Sequence, residues 1–295
     1  LIDPPLHLPE ALVITADDFG FGLATSRGIV RVHQIGVVTA TSLMAVTGDH
    51  AAASVPLLAD APELEVGLHL VLTGRAQKPL VATRSSGLVG RDGNFHSLES
   101  LLWLSWRRKL DASGVLDEIA AQADRCAKLL GRAPAYVDGH HHAHQLPVIR
   151  EALIDAMTRG MLPRIARSTV EPPEIRKHVP GSRLRRAVMH RIGLASRPLF
   201  QQAGVRINDS CFGMISAKDL QKPFPWSQYL PHIPSSGCVE WFVHPGEYDS
   251  TLIGRDTYIQ GRAIELKVFE SLAADPAWPA YRARFTTKAA TMALS

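Results

Sequence analysis

Short apolar runs rich in β-branched residues recur along this chain of 295 residues, with amphipathic stretches between them. Continuous apolar runs bounded by turn residues read as strands covered on both faces. They predict strands over 11–16, 37–46, 65–72, 135–140, 162–167, 209–215 and 238–244. Apolar positions recurring every three to four residues predict helices over 23–35, 49–60, 115–130, 147–159 and 259–273. Alternation of this kind builds a parallel sheet, because parallel neighbours need a crossover, usually a helix. The pattern predicts an α/β fold, a distorted (β/α) barrel of about seven parallel strands, forming a single domain over 1–295. Residues 74–112 and 171–206 break the alternation and read as insertions. The first carries Gly, Ser and Arg and ends in "LESLLWLSWRRKL"; the second is Pro-rich and then basic. Long irregular segments in a compact domain are commonly functional, and the first is read as a lid.

Polar residues interrupt the strands at four places. "ITADDFG" ends an apolar run with Asp17 and Asp18, and the glycines that follow predict that the strand stops there. Strand tips are where parallel α/β folds carry their chemistry. Of thirteen histidines, four crowd into "DGHHHAH", Asp138 to His144. On a strand Asp138 and His140 point the same way, and His144 returns to that side if a turn begins. In "EVGLHLVLTG", His69 shares a face with Gly67, opposite Val66, Leu68 and Leu70. In "CVEWFVHPGEYD", Glu240, Phe242 and His244 share a face. Buried His and Asp need partners, and four such clusters supply them to one another if they converge.

One Asp with two His makes a three-ligand catalytic metal set that leaves a position for water or substrate. A neighbouring carboxylate can take a proton from that water, and a His across the site can protonate a leaving group. Together they suit hydrolysis of an amide or ester. No GxGxxG follows a strand, and neither GxxxxGK[ST] nor GxSxG occurs, so dinucleotide, P-loop and serine-hydrolase chemistry lack support. A glycosidase with paired carboxylates is the competing enzyme class. Asp17 and Asp18 are too close for the ~5–9 Å separations it uses, whereas Asp17 with Asp138 keeps it open.

The net charge of +4 is too small to argue for a nucleic-acid partner. Three widely spaced cysteines form no disulfide framework, which predicts a reducing, cytoplasmic setting. "LIDPPLHLPE" carries no secretory pattern, and no apolar run reaches the roughly 18 residues of a membrane span. Two segments nonetheless mix basic and apolar residues. Residues 175–208 contain no acidic side chain, and "SRLRRAVMHRIGL" sets Leu184, Ala187, Val188 and Ile192 on one face beside Arg183, Arg185 and Arg186. Trp103 and Trp106 precede Arg107, Arg108 and Lys109. Both compositions suit contact with a substrate or an anionic bilayer; amphipathic helices packed on the core are the alternative.

"ITADDFG", "GLHL", "YVDGHHHAHQLP" and "WFVHPGEYD", in this order over residues 11–273, resemble the four signatures of the YdjC-like carbohydrate deacetylases. The resemblance implies a distorted barrel, one divalent metal ion, and removal of acetyl groups from N-acetyl sugars. Zn suits the Asp/His/His set best, with Mg, Mn, Co and Ni left open. By the same resemblance Asp17 is the base, Asp18, His69 and His140 are the metal ligands, and His144 is the alternative third ligand. Asp138 would orient a ligand His, and His244 would protonate the leaving amine with Glu240 close by. "LLWLSWRRKL" and "QADRCAKLLGRAPAYVDGHHHAHQLP" further resemble the hopanoid-biosynthesis-associated deacetylases of that family. The substrate then implied is an N-acetylglucosaminyl hopanoid, met at the inner membrane face, with Trp103, Trp106, Arg183 and Arg186 as contacts. A soluble chitooligosaccharide deacetylase would carry the same metal set, and a hopanoid-binding protein without turnover is a third reading.

Overall fold

A computed structural model describes residues 11–74, 76–178, 181–215, 232–276, 278–282 and 286–288. Among the described residues eight strands form one sheet: β1 (Ala11–Phe19), β2 (Ala40–Leu43), β3 (Glu65–Leu70), β4 (Val137–Gly139), β5 (Ile165–Ala166), β6 (Arg206–Ile207), β7 (Ser210–Phe212) and β8 (Cys238–Val243). Their order is β6-β5-β4-β3-β2-β1-β8-β7, and every pairing is parallel. The two outermost strands are separated in sequence by only Asn208 and Asp209. Residues 206–212 therefore act as one bent strand that lies on β5 with its first half and on β8 with its second. The sheet curls into the distorted barrel that the strand–helix alternation predicts; the sixth expected strand, 209–215, is shortened to β7, and β6 forms just before it.

Side chains alternate between the inside and outside of the sheet. Leu12, Ile14, Ala16 and Phe19 of β1 face outward and join a large apolar cluster with Ile29, Val30 and Val32 of α1 (Leu23–Gln34). Val13 faces inward and belongs to a separate small cluster with Ala40, Tyr136, Ile165 and Cys238. That inner cluster is the apolar base of the barrel. Gly67 is part of it by default: a Cβ there would lie 2.5 Å from the Tyr136 ring.

Surrounding helices include α2 (Asp49–Ser54), α3 (Leu98–Trp106), α4 (Ala112–Leu130), α5 (Ile149–Thr158), α6 (Pro173–His178), α7 (Arg183–Gln202), α8 (Ile259–Ala273) and α9 (Trp278–Arg282). α4 starts three residues earlier than its apolar period suggests, because Asp111 caps it by accepting from the Gly114 N–H at 2.9 Å. Gly131 ends it in the left-handed conformation. The 74–112 insertion is tied to α4. Buried Glu118 accepts the N–H groups of Leu80, Val81 and Ala82 at 2.8–3.0 Å and the Gln122 amide at 2.8 Å.

The second insertion corrects the surface reading of its arginines. Arg186 is buried and paired with Glu171 at 2.7 Å, so it cannot reach a bilayer. The expected apolar face also splits. Ile192 packs into the core with Met189 and Phe200, whereas Leu184 stands 78% exposed. Arg183 and Arg185 remain at the surface.

Candidate metal centre

Two adjacent carboxylates on one strand should point to opposite faces. β1 avoids this with a bulge: Ala16 pairs with Thr41 and Phe19 with Leu43, so Asp17 and Asp18 together oppose Ser42. The strand runs on to Phe19 and does not stop at the aspartates as the glycines suggest. Asp18 takes a left-handed conformation, φ 69°, which for a non-glycine residue is locally strained. The bulge turns both carboxylates toward His69.

Asp18 Oδ1 lies 3.1 Å from His69 Nε2 and 3.2 Å from His140 Nδ1. One ligand atom from each of Asp18, His69 and His140 lies within 4.8 Å of the others. The far nitrogen of His69, Nδ1, sits 2.8 Å from Asp138 Oδ1 and 3.0 Å from Ser42 Oγ. A carboxylate behind a His in this way fixes the tautomer and leaves Nε2 as the ligand atom. Burial alone would hold His69 neutral, but the Asp138 carboxylate and the bonds to Asp138 and Asp18 push its pKa up to about 10. Burial also works against the Asp18 anion, but the Arg262 guanidinium and the bonds to His140 and His69 together outweigh it and hold that carboxyl well below the usual range. A cation would compete with a proton for the same His69 lone pair.

These residues fit a divalent cation: mixed imidazole and carboxylate donors, one His already backed by a carboxylate, and a strained backbone that presents Asp18. Arg262 Nη2 bonds Asp18 Oδ2 at 2.6 Å, leaving Oδ1 alone to face the two histidines. Asp17, His69 and Asp138 form a second close group. It already contains a cation, because Arg167 bridges Asp17 and Asp138 at 2.6 and 2.8 Å.

Arg167 is the centre of the layer beneath. Its Nη atoms hold both oxygens of Asp17 at 2.6 Å each, and its Nε bonds Glu240 Oε1 at 2.9 Å. Burial disfavours its charge, but Asp138, Asp17 and Glu240 raise its pKa well above the ordinary value. It fills the space between Asp17 and Asp138 that a glycosidic bond would need. The sequence reading passed over Arg167, although "RIARST" ends a strand as the other clusters do.

His144 is buried away from the metal group, with Nε2 2.9 Å from the Arg167 carbonyl oxygen. Burial lowers its pKa to about 4. Its ring packs against Gly139, where a Cβ would lie 2.8 Å from Nδ1. His141 and His142 both have positive φ, 53° and 57°, which folds the tract back so that His140 alone of the four turns to Asp18. Asp138 and Glu240 lie where the strand period places them, on the inner face.

His244 sits at the end of β8, edge-on to Phe242 and Tyr258. Its backbone N–H donates to Glu265 Oε2 at 2.5 Å, and its Nδ1 lies 3.9 Å from Glu265 Oε1, which also accepts from Tyr258 Oη at 2.8 Å. Among the described residues, no hydrogen bond joins His244 to Asp17, Asp18, His69 or His140. The link runs through α8, where Arg262 and Glu265 stand one turn apart. Arg262 holds Asp18 and Glu265 holds His244. Neither was singled out from the sequence, since a charged helix face there reads as solvated.

Trp103 and Trp106 are 59% and 61% exposed on α3, and the Arg107 guanidinium lies 5.9 Å from the Trp103 ring centre. Among the described residues no helix is long and apolar enough to cross a membrane.

A chitooligosaccharide deacetylase of Citrobacter koseri is 34% identical over 169 residues, 55% of this chain and 62% of that protein. The chain thus spans under two thirds of the length of the first curated relatives it matches. A chitooligosaccharide deacetylase of Serratia marcescens is 28% identical over 267 residues, 88% of this chain and 91% of that protein. A crystal structure of an Enterococcus faecalis V583 protein assigned to cellobiose-phosphate cleavage superposes with a TM-score of 0.72 at 22% identity. It covers 96% of this chain and 98% of that one, a likeness of fold. The family described as YdjC-like protein matches residues 11–277, from the first residue of β1 through α8, and so takes in all four polar clusters. By that match the chain belongs to the YdjC-like protein family.

Proposed function

We propose that the protein is a metal-dependent hydrolase that removes the acetyl group from an N-acetylglucosaminyl substrate, releasing acetate and a free amino sugar. The observation that carries this reading is the convergence of Asp18, His69 and His140 next to a second, separately held carboxylate, Asp17. The chitooligosaccharide deacetylases among the relatives support it. Asp18, His69 and His140 would hold a divalent cation, Zn first, which supplies Lewis-acid polarisation of the amide carbonyl and a more acidic water. Asp138 holds the Nδ1 proton of His69. Asp17 is the general base: Arg167 fixes its orientation, and each oxygen keeps a lone pair free to accept a proton from the attacking water. His244 is the acid that gives a proton to the departing amine nitrogen, its ring placed by Glu265 and Tyr258. Water adds to the carbonyl carbon, the C–N bond breaks, and the proton taken by Asp17 is balanced by the one delivered to nitrogen.

For the rest of the substrate we infer a lipid-linked sugar of the glycosylated-hopanoid type. Exposed Trp103 and Trp106 beside Arg107, together with exposed Arg183 and Arg185, support a peripheral place on an anionic surface. The soluble alternative, a chitooligosaccharide, has the names of the relatives in its favour. The test is acetate release from an N-acetylglucosaminyl lipid and from N,N′-diacetylchitobiose, each with chelator and with metal added back. Chelator-sensitive release from the lipid alone supports the full reading. Release from chitobiose alone keeps the chemistry and removes the lipid. Release that survives chelation sinks the metal-dependent mechanism.

A further inference from the structure

The layer under Arg167 contains a buried lysine that the chemistry above does not use. Segment 286–288 crosses the base of the barrel. The Thr286 N–H donates to the Leu12 carbonyl at 3.1 Å, and the Lys288 N–H donates to Glu65 Oε2 at 2.8 Å, at the starts of β1 and β3. From there the Lys288 side chain enters the barrel and is fully buried. Its Nζ lies 2.6 Å from Glu240 Oε1 and 3.9 Å from the centre of the Tyr136 ring. The same Glu240 oxygen accepts from Arg167 Nε at 2.9 Å and Thr15 Oγ1 at 2.8 Å, and Arg167 clamps Asp17. Three carboxylates, Asp17, Asp138 and Glu240, thus crowd around Arg167 and Lys288, with His69 as a further partner of Asp138. Without Lys288 the Glu240 charge would be left to Arg167, and the guanidinium would be drawn from Asp17 toward Glu240.

We propose that Lys288 is a positioning residue. By neutralising Glu240 from below, it leaves Arg167 free to hold Asp17 in both of its contacts, and so sets the base from the opposite end of the barrel without touching substrate. The proposal rests on the reading of Asp17 as the base.

The test compares wild type, Lys288→Met, Glu240→Gln and the double variant Glu240→Gln/Lys288→Met, each checked for fold by circular dichroism and for metal content. One readout is acetate release from whichever sugar substrate the wild type cleaves; the other is the ¹H–¹⁵N resonance of Arg167 Nε. Lys288→Met is expected to lower kcat about tenfold or more with KM little changed, as displacement of a catalytic group does. The Arg167 resonance should shift or broaden with it. The double variant removes both charges while the Gln oxygen can still accept from Arg167 Nε, and it should recover most of the loss in both readouts. Wild-type kcat and resonance in Lys288→Met would overturn the proposal, as would a defect that the double variant fails to relieve. If Lys288→Met does not fold, a folded double variant close to Glu240→Gln in both readouts supports the charge-balancing role. A double variant that also fails to fold would make Lys288 a packing element of the barrel base. If the wild type releases no acetate from any sugar offered, the reaction is wrong, and the Arg167 resonance still decides whether Lys288 positions it.

Discussion

Each side chain near the candidate metal group is separable by what its loss should change. Asp17→Asn keeps the shape and removes the proton acceptor, so turnover should fall by about 10²–10⁴ while bound metal stays at wild-type level. Metal loss in that variant would exchange the roles of Asp17 and Asp18. His140→Ala should abolish stoichiometric metal binding measured by elemental analysis, and His144→Ala should not, because His144 Nε2 is spent on the Arg167 carbonyl. Asp138→Asn should weaken metal affinity about 10–100-fold by loosening the His69 tautomer. The sequence displays Asp17, Asp18, His69, His140 and His244 because polar residues at the ends of apolar strands are conspicuous. It hides Arg167 and Arg262 because an arginine reads as surface until its partners are located. Both owe their burial to carboxylates far along the chain, Asp17 at 150 residues and Asp18 at 244.

At the level of elements, the apolar period finds the strands and most helices but misplaces what side-chain bonds decide. α4 begins at its Asp111 cap, β1 continues through its bulge, and α7 turns Arg186 inward to Glu171. That last pair sets a contrast. Removing one partner of a buried ion pair leaves the other charge uncompensated, so Arg186→Leu should cost about 3–5 kcal/mol in chemical denaturation. Arg183→Gln/Arg185→Gln should leave stability nearly unchanged and, if the helix meets an anionic bilayer, weaken binding to anionic vesicles at low salt. Vesicle binding indifferent to that change would leave α7 as a solvated helix. In the other insertion, Glu118→Ala orphans three backbone N–H groups. A loss of about 1–3 kcal/mol is expected, with faster hydrogen exchange confined to residues near 80–82.

Across the whole molecule, the barrel joins two interiors with different physics. Outside the strands lies the apolar core that supplies most of the driving force for folding. Inside lies a column of charges, from Lys288 and Glu240 through Arg167 and Asp17 to Asp18 and the histidines. The fold class was legible because seven apolar runs alternating with helices admit few other solutions. The column was only half legible, because its members are pairs from opposite ends of the chain. A cation that binds the folded site should stabilise the whole barrel. At about a hundredfold excess over Kd the gain is about 2.7 kcal/mol, and a Tm rise of about 4 °C is expected in thermal scans with added Zn. His69→Ala should show no such rise.

The bulge in β1 is, in genetic terms, one codon inserted into a strand. Because Asp17 and Asp18 together face Ser42, Asp18 is surplus to the ladder. Deleting its codon would bring Asp17 opposite Ser42 and leave Ala16 and Phe19 on the outer face where they already pack. The reading frame of the strand would be repaired, and the proposed metal group would lose its carboxylate. Loss of function by a three-base deletion, with a folded and soluble product, is the genetic signature expected of a site built on an extra residue rather than on a substituted one.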